Sequence, residues 1–142
     1  MRKGLIFISS LILTACSITP NMVAMSDVDN KNWSEAAQLT YTNSSIEQCD
    51  MSIVIHVNHS FAMEELPLQI TMFTPDSLRY TEQVVLPVKH QQLRPTAIAA
   101  DIELPYREDV HLRCKGEYTW HITPSQNITG VEAVGIKFHA KN

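Results

Sequence analysis

The sequence predicts an all-β protein: a single β-sandwich of about seven mostly antiparallel strands, immunoglobulin-like or jelly-roll-like, following a signal peptide and a flexible tether. Three observations predict it. From Trp33 onward, apolar residues recur at every second position, the period of a strand buried on one face. Turn-forming residues interrupt that alternation at short intervals. No segment of useful length carries the 3.6-residue apolar stripe of a helix.

The runs follow in order. Leu39 and Tyr41 alternate with Gln38, Thr40 and Thr42, and Asn43-Ser44-Ser45 closes the run. Met51, Ile53, Ile55 and Val57 form the second, and a connector, Ser60 to Leu66, has room for one helical turn. Leu68, Ile70 and Met72 form the third, followed by the turn Thr74-Pro75-Asp76-Ser77. Leu78, Tyr80, Val84 and Leu86 share one face as far as Pro87. Ala100, Ile102 and Leu104 end at Pro105, because proline cannot donate to a strand ladder. Val110, Leu112, Cys114, Tyr118, Trp120 and Ile122 make the longest run, closed by Pro124. Val134, Ile136 and Phe138 follow Gly130. The strands are uneven in length, which favours a sandwich over a closed barrel. They also lack the long lipid-facing band of an outer-membrane barrel.

The N-terminus has a different character. Arg2 and Lys3 precede an apolar stretch, Leu5 to Leu13, too short to span a bilayer as a helix. The stretch ends in Leu13-Thr14-Ala15-Cys16, which resembles the lipobox of bacterial lipoproteins. The resemblance implies that residues 1–15 are a signal peptide, that diacylglycerol is attached to the Cys16 thiol, and that the new N-terminus is acylated after cleavage. Two or more acyl chains make a stable anchor where one does not. Residues 16–32 then read as the lipidated cysteine and a polar tether, and 33–142 as the domain.

The net charge of −4, with basic residues scattered, excludes a nucleic-acid surface and a polybasic membrane patch. With Cys16 lipidated, Cys49 and Cys114 remain. In an oxidising compartment they pair as a disulfide or stay as two buried free thiols, and the spacing leaves both open.

Catalytic and metal-binding patterns are not evident. Six histidines occur, but no C-x-x-C, H-x-x-x-H or H-E-x-x-H brings ligands together at zinc spacing. His56 and His59 fall on opposite faces of a strand, while His111 and His121 lie ten residues apart along the longest run. Glu64-Glu65, Glu103 and Glu108-Asp109 sit on or beside turns. There is no G-x-S-x-G, and the four glycines make no phosphate-cradling loop. The chain therefore reads as non-enzymatic, with no cofactor and no metal. Tyr118 and Trp120 share a face with Val110, Leu112 and Ile122, the pattern of core; left exposed, the two rings would make a sugar-stacking platform. Trp33 is placed to cap the sandwich, and Phe61 is a candidate exposed contact residue.

Trp33 followed by Ala36-Ala37-Gln38-Leu39-Thr40-Tyr41-Thr42, then Asp76-Ser77-Leu78, Gly116-Glu117-Tyr118 and a closing segment from Gly130 to Phe138 come in the order found in the GldH family of lipoproteins of gliding and related Bacteroidetes, which the mature region resembles. The segment from Asp50 to Tyr80 stands where that family has a strand, a connector with an aromatic and an L-x-L-x-I strand. Asp76-Ser77-Leu78 matches its D-T-L. Gly116-Glu117-Tyr118 and Gly130-Val131-Glu132-Ala133-Val134-Gly135-Ile136-Lys137-Phe138 resemble its G-x-Y and G-I-x-x-V-G segments. Gly130 reads as a turn, and Gly135 as a place where a neighbouring strand comes close. The family's glycine- and aspartate-rich middle is replaced here by Pro87 to Pro95. The resemblance implies an accessory lipoprotein of gliding motility or type IX secretion, acting through envelope protein partners. It carries no catalytic residues over. It also makes Ser77, in its D-S-L context, a candidate O-glycosylation site. Ser17 after Cys16, with no acidic run close behind, points to a periplasm-facing place on the outer membrane. The alternative is a glycan- or ligand-binding outer-membrane lipoprotein.

Overall fold

The computed structural model describes residues 22–88 and 99–141. Among them every regular element is a β-strand: β1 (Met22–Asp27), β2 (Ala37–Asn43), β3 (Gln48–Asn58), β4 (Glu65–Phe73), β5 (Arg79–Pro87), β6 (Ala99–His111), β7 (Gly116–Pro124) and β8 (Val131–Ala140). They form two antiparallel sheets, in the orders β1-β8-β3-β6 and β2-β7-β4-β5. The pairing of β1 with β8, β2 with β7, β3 with β6 and β4 with β5 is that of one long hairpin rolled into a sandwich. The tip of the hairpin is the 74–78 turn. Of the two topologies expected, this is the jelly roll.

Alternation builds the core as expected. Leu39 and Tyr41 of β2, Met51, Ile53, Ile55 and Val57 of β3, and Tyr118, Trp120 and Ile122 of β7 all point inward and are buried. Phe138 of β8 meets Tyr41 with ring centroids 4.8 Å apart and Trp120 at 5.5 Å, so one aromatic cluster links the two sheets. Trp33 is buried, exchanges backbone hydrogen bonds with Ile128, and donates its indole N–H to the Glu35 carbonyl at 2.8 Å. It seals one end of the sandwich.

Three boundaries differ from the sequence reading. The segment read as tether supplies β1, which pairs with β8 from Met22↔Phe138 to Asp27↔Ala133. Its Ala24 is too small to mark an apolar period, and its place depends on Gly135: a Cβ there would lie 2.6 Å from the Ala24 carbonyl oxygen. β6 does not stop at Pro105 but runs through it to His111. It is an edge strand, where a missing N–H is tolerated. The run from Val110 to Ile122 is two strands in different sheets, broken at 112–115, so His111 and His121 are not on one strand. Side chains hold that break. The Tyr118 hydroxyl accepts from the Cys114 N–H and donates to its carbonyl, and Asn43 Nδ2 donates to the Ile46 carbonyl at 2.8 Å and to that of Cys114 at 3.3 Å. The connector after β3 contains no helix.

Candidate functional site

On one side of the sandwich β1 packs along β2. On the other side the edge strands β6 and β5 stand apart, and most of their residues are exposed or half-buried. The register of β6 on β3 slips around Met51, and Asp109 adopts a left-handed conformation (φ 52°). Irregularities of this kind bend a strand and increase its twist.

The gap holds a cavity of about 490 Å³. Its floor is apolar: Met51 from β3, Ile70 and Met72 from β4, Trp120 from β7 and Val110 from β6. Its rim is polar and aromatic: Arg79, Tyr80 and Glu82 from β5, Tyr106 and Arg107 from β6. A second cavity, also about 490 Å³, continues towards the 112–115 turn. It shares Met72, Tyr80 and Val110 with the first and adds Leu78, Arg113 and Tyr118. Together they make one groove. Leu78 and Tyr80 stand on its lip, 48% and 55% exposed.

One interaction spans the mouth. Glu82 accepts from the Tyr106 hydroxyl and ion-pairs with Arg107, whose Nε lies 3.2 Å from Oε1. Burial, then the Glu82 hydrogen bond, raises the Tyr106 phenol well above its ordinary range; the Glu82 hydrogen bond raises Arg107. Glu82 is thus engaged in joining the two edges, which leaves it poorly placed as a general base. Arg79 lies 5.7 Å from the Phe73 ring centroid, a cation–π arrangement.

The outer face of the β6-β3-β8 sheet carries histidine–carboxylate contacts and lysine–carboxylate ion pairs. His56 Nδ1 lies 2.6 Å from Asp101; Glu103 holds His139 at 2.6 Å and Lys137 at 3.2 Å; Lys141 bridges Asp50 and Asp109 at 2.9 and 2.7 Å. Burial works to raise Glu103, but the hydrogen bonds from His139, Lys137 and Ser52 outweigh it and the carboxyl is lowered. Among the described residues no group of three His, Cys, Asp or Glu side chains could hold a metal ion.

The sequence-derived candidates fall as follows. Tyr118 and Trp120 are core residues, 3% and 1% exposed, so they form no sugar-stacking platform, though Trp120 lines the first cavity and Tyr118 the second. Phe61 is buried rather than an exposed contact, because the Gly130 turn packs on its backbone. Cys49 and Cys114 are free thiols, not a disulfide. Cys49 points into the core from β3, while Cys114 lies in the 112–115 turn. Ser77 is exposed at the hairpin tip. Cys16, residues 1–15, read above as a signal peptide, and residues 89–98, which include His90, lie outside the described residues. Nothing in the sequence marks the β6 side of the groove, because Tyr106 and Arg107 follow Pro105, where the alternation ends.

No family model matches the sequence, and no curated protein matches it. Two solved structures show weak similarity. One is a family GH115 4-O-methyl-α-glucuronidase with specificity for decorated arabinogalactans, at 11% identity and a TM-score of 0.37 over 78% of this chain and 14% of that one. The other is a carbohydrate-binding module of the β-sandwich superfamily with promiscuous specificity, at 16% identity and a TM-score of 0.33 over 84% of this chain and 52% of that one. The chain spans about half of the second protein and a small part of the first. At these scores neither similarity assigns an activity.

Proposed function

We propose that this chain is a non-enzymatic envelope lipoprotein that binds an apolar segment of a partner protein in the groove between β5 and β6. The observation that carries this reading is the groove's composition. Met51, Met72, Val110 and Trp120 form the floor, and tyrosines and arginines form the rim. Methionine, aromatic residues and arginine are the types enriched where proteins meet. The lipobox-like Leu13-Thr14-Ala15-Cys16 supports an outer-membrane anchor. The start of β1 follows Cys16 by six residues, so an extended chain keeps it within roughly 20 Å of the acylated cysteine. The resemblance to GldH-type lipoproteins supports an accessory role in gliding motility or type IX secretion.

The second reading, glycan or small-ligand binding, now rests on Tyr80, whose ring is exposed at the groove mouth.

Photo-crosslinking tests the first reading. A photoreactive side chain replaces Tyr80 in the membrane-anchored protein in its own cells, with Gln126, outside the groove, as the control position. Expected is an adduct with another envelope protein from position 80, none from position 126, and loss of the adduct with Cys16→Ala. No adduct from position 80 would count against a protein partner, and binding on a glycan array abolished by Tyr80→Ala would establish the second reading.

A further inference from the structure

β5 ends its sheet and pairs with β4 alone among the described strands. The pairing is continuous from Glu65↔Pro87 to Phe73↔Arg79, with no register shift. Two backbone bonds bracket it: Val88 N–H to the Glu64 carbonyl at 2.8 Å, and Thr74 N–H to the Leu78 carbonyl at 2.9 Å. Residues of one parity in an antiparallel strand bond to one neighbour, so the even residues of β5 serve β4. The amides of Arg79, Thr81, Gln83 and Val85 and the carbonyl of Pro87 therefore line the free edge. Proline is tolerated at such a position.

Natural sheets guard free edges with lysine, proline, inward charge or a bulge. The free edge of β6 has such guards: Pro105 in mid-strand, the register slip at Met51, and Arg107, Glu108 and Asp109 together. From Tyr80 to Leu86, β5 has none of them but Glu82, and that carboxylate already holds Arg107. Val85 is 58% exposed on its outer face. An edge this regular and this apolar is suited to strand addition.

Its residues also suit a particular occupant. With a second β5 laid antiparallel about a two-fold axis at Gln83, Thr81 faces Val85 and Arg79 faces Pro87 on the outer side. Tyr80 then faces Leu86, and Glu82 faces Val84, on the inner side. Every outward amide gains a partner, about eight backbone bonds in all, and only the two Arg79 carbonyls, opposite Pro87, go without a donor. Sliding two residues one way sets Glu82 against its own copy, and sliding the other way removes rungs. Of the symmetric registers that make eight bonds, the one centred on Gln83 is free of like-charge contact. We propose that this chain forms a two-fold dimer by antiparallel pairing of β5 with β5 of a second copy, centred on Gln83. Two four-stranded sheets become one of eight, and the two Tyr80 groove lips come to lie on the same face of it.

Sedimentation equilibrium of the chain carrying Cys16→Ala, which has no lipid to drive association, tests this. Expected is a concentration-dependent monomer–dimer equilibrium. Gln83→Pro removes an amide that bonds to none of the described strands, and Thr81→Lys places a guard on the edge. Each weakens the dimer by about tenfold or more; the dilute-solution thermal midpoint is little changed in Gln83→Pro and falls somewhat in Thr81→Lys, which also removes the hydroxyl 3.1 Å from that of buried Thr71. Thr81→Lys carries the test alone should Gln83→Pro not fold. Gln83→Cys oxidises to a covalent dimer, since facing Cα atoms about 5.5 Å apart suit a disulfide, while Gln38→Cys on β2 does not. A monomer at every concentration, or a dimer indifferent to Thr81→Lys, overturns the proposal.

Discussion

Glu82 and Arg107 join the two edge strands across the mouth of the groove, and the Tyr106 hydroxyl shares the same carboxylate. Both ionic side chains are well hydrated, 31% and 54% exposed. An ion pair so exposed contributes up to about 1 kcal/mol. Glu82→Gln keeps an oxygen for Tyr106 but removes the charge, so the expected loss at pH 7 is about 0.5 kcal/mol by urea denaturation. The larger effect is alkaline. The folded state raises the Tyr106 phenol above its ordinary value of 10.0 through burial and then Glu82. A raised group contributes stability that is present below the unfolded value and lost as pH rises through the folded one. Stability therefore falls above pH 10, and the tyrosinate absorbance of Tyr106 appears late. In Glu82→Gln it appears earlier. An unchanged midpoint in that variant would show that burial alone governs the phenol.

Lys141 ties the chain's end to Asp50 and Asp109, but the two carboxylates depend on it unequally. Asp50 is lowered first by the Asp109 N–H, 3.0 Å from its Oδ1, and only then by Lys141. Asp109 is lowered first by Lys141. In Lys141→Met, Asp109 is expected to move up towards 3.8 further than Asp50 does, read from carboxyl carbon shifts in an NMR pH titration. Lowered carboxyls contribute stability above their unfolded values, lost as pH falls through the folded ones. Lys141→Met should therefore flatten the acid limb of the stability curve below about pH 4. Equal movement of the two aspartates would contradict the assigned causes.

Alternation made seven of the eight strands legible, because Leu39, Ile53, Ile70, Leu86, Leu104, Trp120 and Phe138, one in each, bury one face of a sheet. β1 was not legible. Its contribution is backbone pairing to β8 over Gly135, and neither leaves an apolar period in Met22–Asp27. The groove was not legible either, for a different reason. It is made of residues that alternation marks as ordinary strand positions, Met72, Tyr80 and Val110, and only the separation of β5 from β6 opens them. The aromatics that the sequence offered for binding, Tyr118 and Trp120, lie in β7, where both flanking strands and the opposite sheet cover them. Exposure depends on place in the sheet order, which no local pattern carries.

Cys49 is buried between β6 and β8, facing Val110 and Ala140 in the two ladders. Burial, with Asp50 adding to it, pushes its thiol up to about 11. The thiolate is the reactive form, so Cys49 should resist alkylation in the folded protein at pH 8 and react on denaturation. Cys114, half-buried in a turn at the groove, is the accessible one of the two. Peptide mapping after a brief iodoacetamide pulse should find label on Cys114 and little on Cys49. Cys49→Ala, which removes one small apolar group, should cost about 1 kcal/mol and leave the fold intact. A disulfide-linked peptide containing both cysteines in the protein isolated from its own cells would displace this account.

Two turn residues with positive φ should respond in opposite directions. Ser77, at φ 67° in the hairpin tip, occupies the left-handed position that follows Pro75-Asp76, with its N–H on the Thr74 carbonyl at 3.1 Å. A non-glycine residue there costs roughly 1 kcal/mol, of which glycine's greater freedom in the unfolded chain returns about half. Ser77→Gly is therefore expected to stabilise by about 0.5 kcal/mol. Gly130, at φ 91°, has no such latitude. A Cβ added to it would lie 2.7 Å from the Phe61 Cα and 2.8 Å from its Cβ, and neither can move without shifting the β3–β4 connection. Gly130→Ala combines backbone strain with that overlap, an expected loss of about 2–4 kcal/mol. Because Phe61 is buried on this turn, the damage should spread to it. Hydrogen exchange at the Phe61 amide, which donates to the Asn58 carbonyl at 3.1 Å, should accelerate in Gly130→Ala and stay unchanged in Ser77→Gly.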